Sequence, residues 1–432
     1  MAIELVQLLA LQPNPSPNMT WLILLALFTL WLLFNFYSLF RNYLSARKSG
    51  LPIVVFPFNS YHPVWMILSV PLRPLFERYL PAWMYESINL ATYGFEFRSK
   101  TALFENRGPA FILVTAGSNE LSLMDPDLAT EILKRIKDFP NTDIARVILD
   151  IFGPSLLTSN GDSWTRQRKL IAPNINEKIS GLVFAESCRQ AREMLVSYMD
   201  EFKGVTNDTM RGMKTIAINV LGAAGFGISQ PWKGEKASLP KGYRMTYMEA
   251  TKTVVENIIE AAVMPAKLLT SPIFGPSWQA IGHAKNEFPL HTKELLENER
   301  QRQRDSSEAR NNLMSMLVRL SDPEKNTSAK IQELTKDSQV LSEEEIFGNL
   351  FIFTSAGFDT TANTMAYALA LLAAYPEWQD WLFEEISAVV GDRDTKYLLY
   401  AEIFPRLPRC LALMVSRLLV TTPSQSLPIQ KI

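Results

Sequence analysis

The stretch Ala356-Gly357-Phe358-Asp359-Thr360-Thr361 sets a carboxylate beside two hydroxyls. Gly357, two residues before the carboxylate, leaves no side chain in the way of a flat ligand. A threonine hydroxyl can also bond back to the carbonyl one turn earlier and bend a helix. A second set lies upstream, where Trp164 and Arg168 stand four apart and share one helix face. An indole N–H and a guanidinium suit a pair of anionic oxygens, with arginine binding bidentately. Each set alone has a plainer reading: a polar notch around a tolerated glycine, and a basic amphipathic helix with Trp164 packed in a core.

Long elements must carry these groups. Ser342 with Glu345 forms a capping box, and Glu343 and Glu344 add negative charge at the positive end of the helix dipole. Ile346, Phe347, Leu350, Phe351, Phe358, Met365, Leu369 and Leu372 recur at helical spacing. With no proline before Pro376, the pattern predicts a helix from 343 to 374, roughly 48 Å long at 1.5 Å per residue. Gly357 sits inside it at a cost of about 1 kcal/mol. Ala110 to Thr115 clusters apolar and β-branched residues as a strand does. Two polar stretches, Glu297 to Asn312 and Ser321 to Ser342, are expected as surface connections, the first as a solvated charged helix face or turn.

The amino end carries a different signal. Trp21 to Phe40 is a run of twenty residues without a charge, the length of a bilayer's hydrocarbon core. Arg41, Arg47 and Lys48 follow, and Glu4 is the charged side chain before it, so the positive-inside rule places residues 1–20 in the lumen and the rest in the cytosol. With no small-residue cleavage site after the run, 21–40 is expected as an uncleaved signal anchor. Residues 41–57, with Pro52 and Pro57, are expected as a basic, stiff hinge. Asn18-Met19-Thr20 is a glycosylation sequon hard against the membrane.

Hydrophobic residues at 47% and charged residues at 20% are values of a globular core, and a net charge of −1 argues against a nucleic-acid partner. Cys188 and Cys410 are the two cysteines, too few for a disulfide framework and in keeping with a reducing, cytosol-facing domain.

In this order the two motifs resemble the cytochrome P450 family of haem-thiolate monooxygenases. Phe152-Gly153 and Leu156-Leu157 before Trp164 fit its pattern. Glu377-Trp378-Gln379 and Glu384-Glu385-Ile386 after Pro376 are similar to its J helix, and Leu407-Pro408 to the start of its K helix. The resemblance covers roughly residues 50 to 414. It implies a mainly α fold with a small β portion, in a P450-like helical domain over 58–414, preceded by one transmembrane helix. The implied activity is oxygen insertion into an apolar small molecule, using haem and electrons from NADPH through a membrane-bound reductase. By the same resemblance, Thr360 holds a water and hands on a proton with the help of Asp359. Ala356 and Gly357 leave room above the haem, and Trp164 and Arg168 pair with its propionates. Residues 232–281 correspond to the lid-like F–G region. The resemblance also implies the endoplasmic reticulum membrane and a role in fungal secondary metabolism.

The chain departs from the family pattern after Met414. The Glu-x-x-Arg pair expected beyond Leu407-Pro408 falls on Ser416 and Leu419. Glu186-Ser187-Cys188-Arg189 and Glu297-Asn298-Glu299-Arg300 contain the string, but upstream of the central helix. Neither cysteine lies in a glycine-flanked loop of the kind that holds the thiolate ligand. The expectation is therefore a sequence cut short within the K helix, lacking the axial cysteine, with 415–432 a divergent disordered tail, and inactive as written. Two other readings stay open: a non-catalytic P450-derived membrane protein that binds partners or apolar ligands, and an unrelated membrane-anchored helical protein that matches by chance.

Overall fold

The computed structural model describes residues 17–420, apart from 100, 106, 136, 142, 234–238, 240–241, 306–309, 311 and 322–339. Most of the expected connection between Ser321 and Ser342, and the tail from Thr421, lie outside the described residues. The fold is mainly helical with a small sheet, as the sequence predicts. It divides into two compact units, one up to Arg135 and one after it.

The first unit begins with α1 (Pro17–Arg47), whose apolar residues from Trp21 to Phe40 are mostly exposed. Length and composition alone let this helix cross a membrane. Then come β1 (Ile53–Val55), α2 (Pro63–Tyr79), α3 (Ala82–Leu90), β2 (Ala110–Val114), β3 (Asn119–Leu123) and α4 (Pro126–Lys134). The sheet order is β1-β2-β3, with Ile53 opposite Ile112 in a parallel pair and Ala110 opposite Leu123 in an antiparallel one. Every residue of the central strand β2 is buried, which explains its unbroken apolar run. Phe56, Leu90, Leu103, Phe111 and Leu113 make the core on one side of it. The residues between Pro52 and Pro57, expected as part of a hinge, contain β1.

The second unit is built around α13 (Glu343–Ala374). The elements before it are α5 (Asp143–Leu149), α6 (Gly161–Ile171), α7 (Glu177–Phe202), α8 (Thr209–Leu221), α9 (Tyr247–Glu256), α10 (Ile258–Val263), α11 (Pro276–Asp305) and α12 (Leu313–Leu320). After it come α14 (Pro376–Val390) and α15 (Pro408–Val420). Both arms of the predicted capping box are present: Ser342 Oγ accepts from Glu345 N–H at 3.2 Å, and Glu345 Oε2 accepts from Ser342 N–H at 3.0 Å. Phe358, Ala362 and Ala366 of α13 pack on Met213, Ile216, Ala217 and Val220 of α8. Toward the start of α13, Phe351 meets Phe152 and Phe288 with ring centres 4.9 and 5.6 Å apart. The helix beginning at Pro408 runs on to Val420, so Ser416 and Leu419 lie on α15.

Glu299 shows that the charged stretch from Glu297 is more than a solvated face. It is buried, and it accepts from Ser315 Oγ at 2.6 Å, Gln303 Nε2 at 2.8 Å and Arg302 Nη2 at 2.6 Å, tying α11 to α12. Burial pushes its carboxyl pKa up, but these donors outweigh that and leave it at about 2, against an ordinary 4.5. A carboxylate with a depressed folded-state pKa contributes stability that is complete above its unfolded pKa and is lost as pH falls through the folded one. We therefore expect stability to decline between pH 4.5 and about 2, with this group supplying about 1–2 kcal/mol after allowance for solvent screening. Glu299→Gln should remove that amount at pH 7 and flatten this part of the pH profile. Urea unfolding at a series of pH values checks it, and an unchanged profile would rule the role out.

Candidate active site

The candidate relay lies where α13 passes α8. Thr360 Oγ1 donates to the carbonyl of Ala356 at 2.6 Å, and Thr364 Oγ1 to that of Thr360 at 2.8 Å, so successive turns carry the back-bonding foreseen for threonines. Ala356, Thr360 and Thr361 are exposed, whereas Phe358 and Ala362 turn into the core. Asp359 stands between the two faces. Lys214 Nζ, from α8, lies 3.3 Å from Asp359 Oδ1 and 2.7 Å from Glu256 Oε1 of α9. Asn363 Nδ2 donates to Asp359 Oδ2 at 3.3 Å. Burial works against the Lys214 charge, but the Glu256 and Asp359 carboxylates outweigh it and hold the ammonium above its ordinary pKa.

Gly357 points toward α8 rather than to the open face. A Cβ there would stand 2.8 Å from Leu221 Cδ2, so the missing side chain lets α8 approach. Ala356 is the small residue on the exposed side.

Trp164 and Arg168 do share a face of α6, with the guanidinium carbon 5.4 Å from the indole ring centre. Arg168 is exposed, and among the described residues it forms no ion pair. The residues between them dock the helix. Arg166 pairs with Glu345, with Nη1 to Oε2 at 2.9 Å, and Nη1 also donates to the Val340 carbonyl at 2.7 Å. Gln167 Nε2 donates to Glu345 Oε1 at 3.2 Å, and Asn349 Nδ2 donates to Gln167 Oε1 at 2.8 Å. Asn349 Oδ1 in turn accepts from Leu156 N–H at 3.0 Å. Gln167 and Asn349 are both 0% exposed. One turn later than Glu345 the backbones themselves meet: a Cβ on Gly348 would lie 2.3 Å from the Gly153 carbonyl oxygen and 2.4 Å from that of Pro154. The two candidate sets are thus mounted on one helix, with Ala356 and Thr360 roughly 10 and 16 Å beyond Asn349 at 1.5 Å per residue.

Sequence reasoning missed Lys214, Glu256, Arg166, Gln167, Gly348 and Asn349. Arg166 and Gln167 lie inside the quoted motif, yet nothing local shows that their partners are on α13. In the expected lid region, Glu287 of α11 accepts from the backbone N–H groups of Arg244 at 3.1 Å and Met245 at 3.1 Å, clasping the chain before α9. Packing joins α5 to α10 in the same unit.

The family model for cytochrome P450 matches residues 81–403, most of the chain. The chain belongs to the cytochrome P450 family. A P450 monooxygenase of a phomenoic acid biosynthesis cluster in Leptosphaeria maculans is 31% identical over 419 residues, covering 91% of this chain and 69% of the relative. A P450 monooxygenase of Penicillium rubens is 26% identical over 364 residues, covering 80% of this chain and 60% of the relative. The P450DA haem domain shares the fold with a TM-score of 0.55 at 16% identity, over 77% of this chain and 65% of that one. The chain thus spans about two thirds of the proteins it matches.

P450 proteins carry haem, and the residues fit part of it. The open Ala356–Thr360 face offers a small side chain and a hydroxyl, and Arg168 on its indole platform offers an anion-binding fork. The thiolate is another matter. Burial pushes the Cys188 thiol up, and burial with the Glu385 carboxylate does the same for Cys410, so both are held as neutral thiols. No axial ligand is assigned to either.

Proposed function

We propose that this protein is a membrane-bound haem monooxygenase that oxidises an apolar small molecule in fungal secondary metabolism. It draws NADPH electrons through a membrane reductase at the endoplasmic reticulum. The reading is carried by the exposed Ala356–Thr360 face with Asp359 held beside it, in a chain of the P450 family. The cluster named for the Leptosphaeria relative supports the metabolic role, and the exposed apolar helix α1 supports the membrane.

Haem, when bound, supplies oxygen activation by one-electron steps. The chain's part is to position and to move protons. Thr360 spends its hydroxyl hydrogen on the Ala356 carbonyl, which aims its lone pairs outward to accept from a water. Asp359 reaches that water's side of the helix because its carboxylate is half exposed, while Lys214 and Asn363 hold it from behind. A proton from solvent then passes through Asp359 and the water at Thr360. Arg168, stacked on Trp164, would hold a carboxylate arm of the cofactor. The Phe358 and Ala362 side stays dry against α8.

The test is to express the open reading frame of the source transcript in lipid nanodiscs with a reductase. A thiolate-type carbon monoxide spectrum, with NADPH use that rises on adding an apolar substrate, is expected. No such spectrum would overturn the proposal and leave the second reading, a non-catalytic P450-derived membrane protein, which the two neutral thiols favour. With both of its thiols held neutral, neither Cys188 nor Cys410 should give a thiolate-type spectrum. A stoichiometric one would assign the ligand to Cys188 or Cys410, separable by serine replacement.

A further inference from the structure

The three polar residues inside the apolar run of α1 do not behave alike. Thr29 Oγ1 donates to the Leu25 carbonyl at 2.8 Å and Asn35 Nδ2 to that of Trp31 at 2.8 Å, so both are satisfied within their own helix. Ser38 instead donates out of the helix, to the carbonyl of Ala116 at 2.7 Å. One turn later Asn42 Nδ2 donates to the Thr115 carbonyl at 3.0 Å, and Asn119 Nδ2 returns a bond to the Asn42 carbonyl at 3.0 Å. Apolar packing lies under these bonds, with Leu39, Tyr43 and Ala46 of α1 against Ile53, Ile112 and Val114 of the sheet. The turn they grip is itself tightly built. Thr115 Oγ1 accepts from the N–H groups of Gly117 at 3.1 Å and Ser118 at 2.9 Å, and a Cβ on Gly117 would strike Asn59 Oδ1 at 2.3 Å.

The position of this seam along α1 matters. The uncharged run ends at Phe40 and the first charge is Arg41, so Ser38 and Asn42 straddle the point where the helix would leave the hydrocarbon. Resting on the membrane reading of α1, we infer that α1 and the three-stranded sheet form one rigid mount, which holds the Ala116–Asn119 turn in the lipid headgroup layer. The partner of this surface is the phospholipid headgroup, with Arg41, Arg47 and Lys48 exposed on the same end of the helix. The segment after the span is then a bracket that fixes the angle of the first unit to the bilayer.

The experiment uses the full chain in nanodiscs of mixed zwitterionic and anionic phospholipid, with Cys188→Ser and Cys410→Ser as background. Spin labels at Leu30→Cys and Leu121→Cys, both exposed in the protein, report the angle between helix and sheet. A single narrow distance distribution is expected, broadening at least twofold when Ser38→Ala and Asn42→Ala are combined. A third label at Phe58→Cys tests depth, because the Phe58 carbonyl accepts from Ala116 N–H at 3.3 Å and its side chain is exposed. It should be relaxed by nickel-chelating lipid headgroups. A broad distribution with the native seam, or a residue-58 label untouched by nickel lipid, overturns the inference. Alkaline carbonate washing separates the two levels. A chain that is washed off fails the membrane reading and the mount with it, whereas one that stays but gives a broad distance fails the mount alone.

Discussion

Gly348→Ala is expected to destabilise the second unit by about 1–3 kcal/mol, although alanine is the better helix former by about 1 kcal/mol. The sign is set by what the new methyl would meet. Its two nearest neighbours, at 2.3 and 2.4 Å, are the backbone oxygens of Gly153 and Pro154, which cannot rotate aside as a side chain can. Gly153 is equally committed, with φ at +134° and the Glu344 carbonyl oxygen 2.3 Å from where its own Cβ would stand. The crossing also lies beside Asn349 and Glu345, so a shift of the Gly153 loop pulls on the bond from Leu156 N–H to Asn349. Gly181→Ala on α7 is the control. There the nearest atom is Tyr400 Cβ at 3.9 Å, and the same substitution should be neutral or stabilising by up to about 1 kcal/mol. Denaturant unfolding of both variants beside the parent decides the matter. Equal shifts for the two glycines would show that the crossing is looser than these distances say.

In an active form of the protein, Asp359→Asn should lower product formation by about 100-fold, the lower end of general acid contributions. The substitution keeps the shape of the side chain and its approach to Asn363 but ends its ability to carry a proton and its ion pair with Lys214. Apolar ligand binding should be unaffected, because Ala356 and Thr360 on the open face are untouched. Thr360→Ala should act differently, leaving NADPH consumption near the parent rate while product falls, since the water it positions is lost but electron delivery is not. Parallel assays of NADPH consumed and product formed separate the two. Unchanged coupling in Thr360→Ala would remove that hydroxyl from the mechanism, and full activity in Asp359→Asn would remove the carboxylate.

What could be read in advance was what repeats or punctuates locally. Ser342, Glu345 and Pro376 bracket α13, and the apolar run at Ala110 names the central strand. The three-residue strand β1 carries too little pattern between its flanking prolines to be seen. Glu345 is legible as a cap, but its carboxylate also takes Arg166 and Gln167, a role that depends on how distant helices cross. Gly357 reads as clearance for a ligand, and only the packed structure shows Leu221 in that space. Lys214 is likewise invisible beforehand, because its ion pair with Asp359 joins two helices whose contact no short-range pattern encodes. The polarity of the Glu297 stretch suggested water, yet Glu299 is covered because its charge is met on several sides.

The bond between Leu156 and Asn349 spans 193 positions, and the Arg166–Glu345 pair spans 179. A ribosome adding about 5–20 residues per second needs roughly 10–40 s to make the partner after the first has emerged. Throughout that interval Gln167 and Arg166 have no Glu345 to meet, and Phe152, which Phe288 can reach first, still lacks Phe351. The earlier elements of the second unit are therefore made well before the α13 residues that hold them in place.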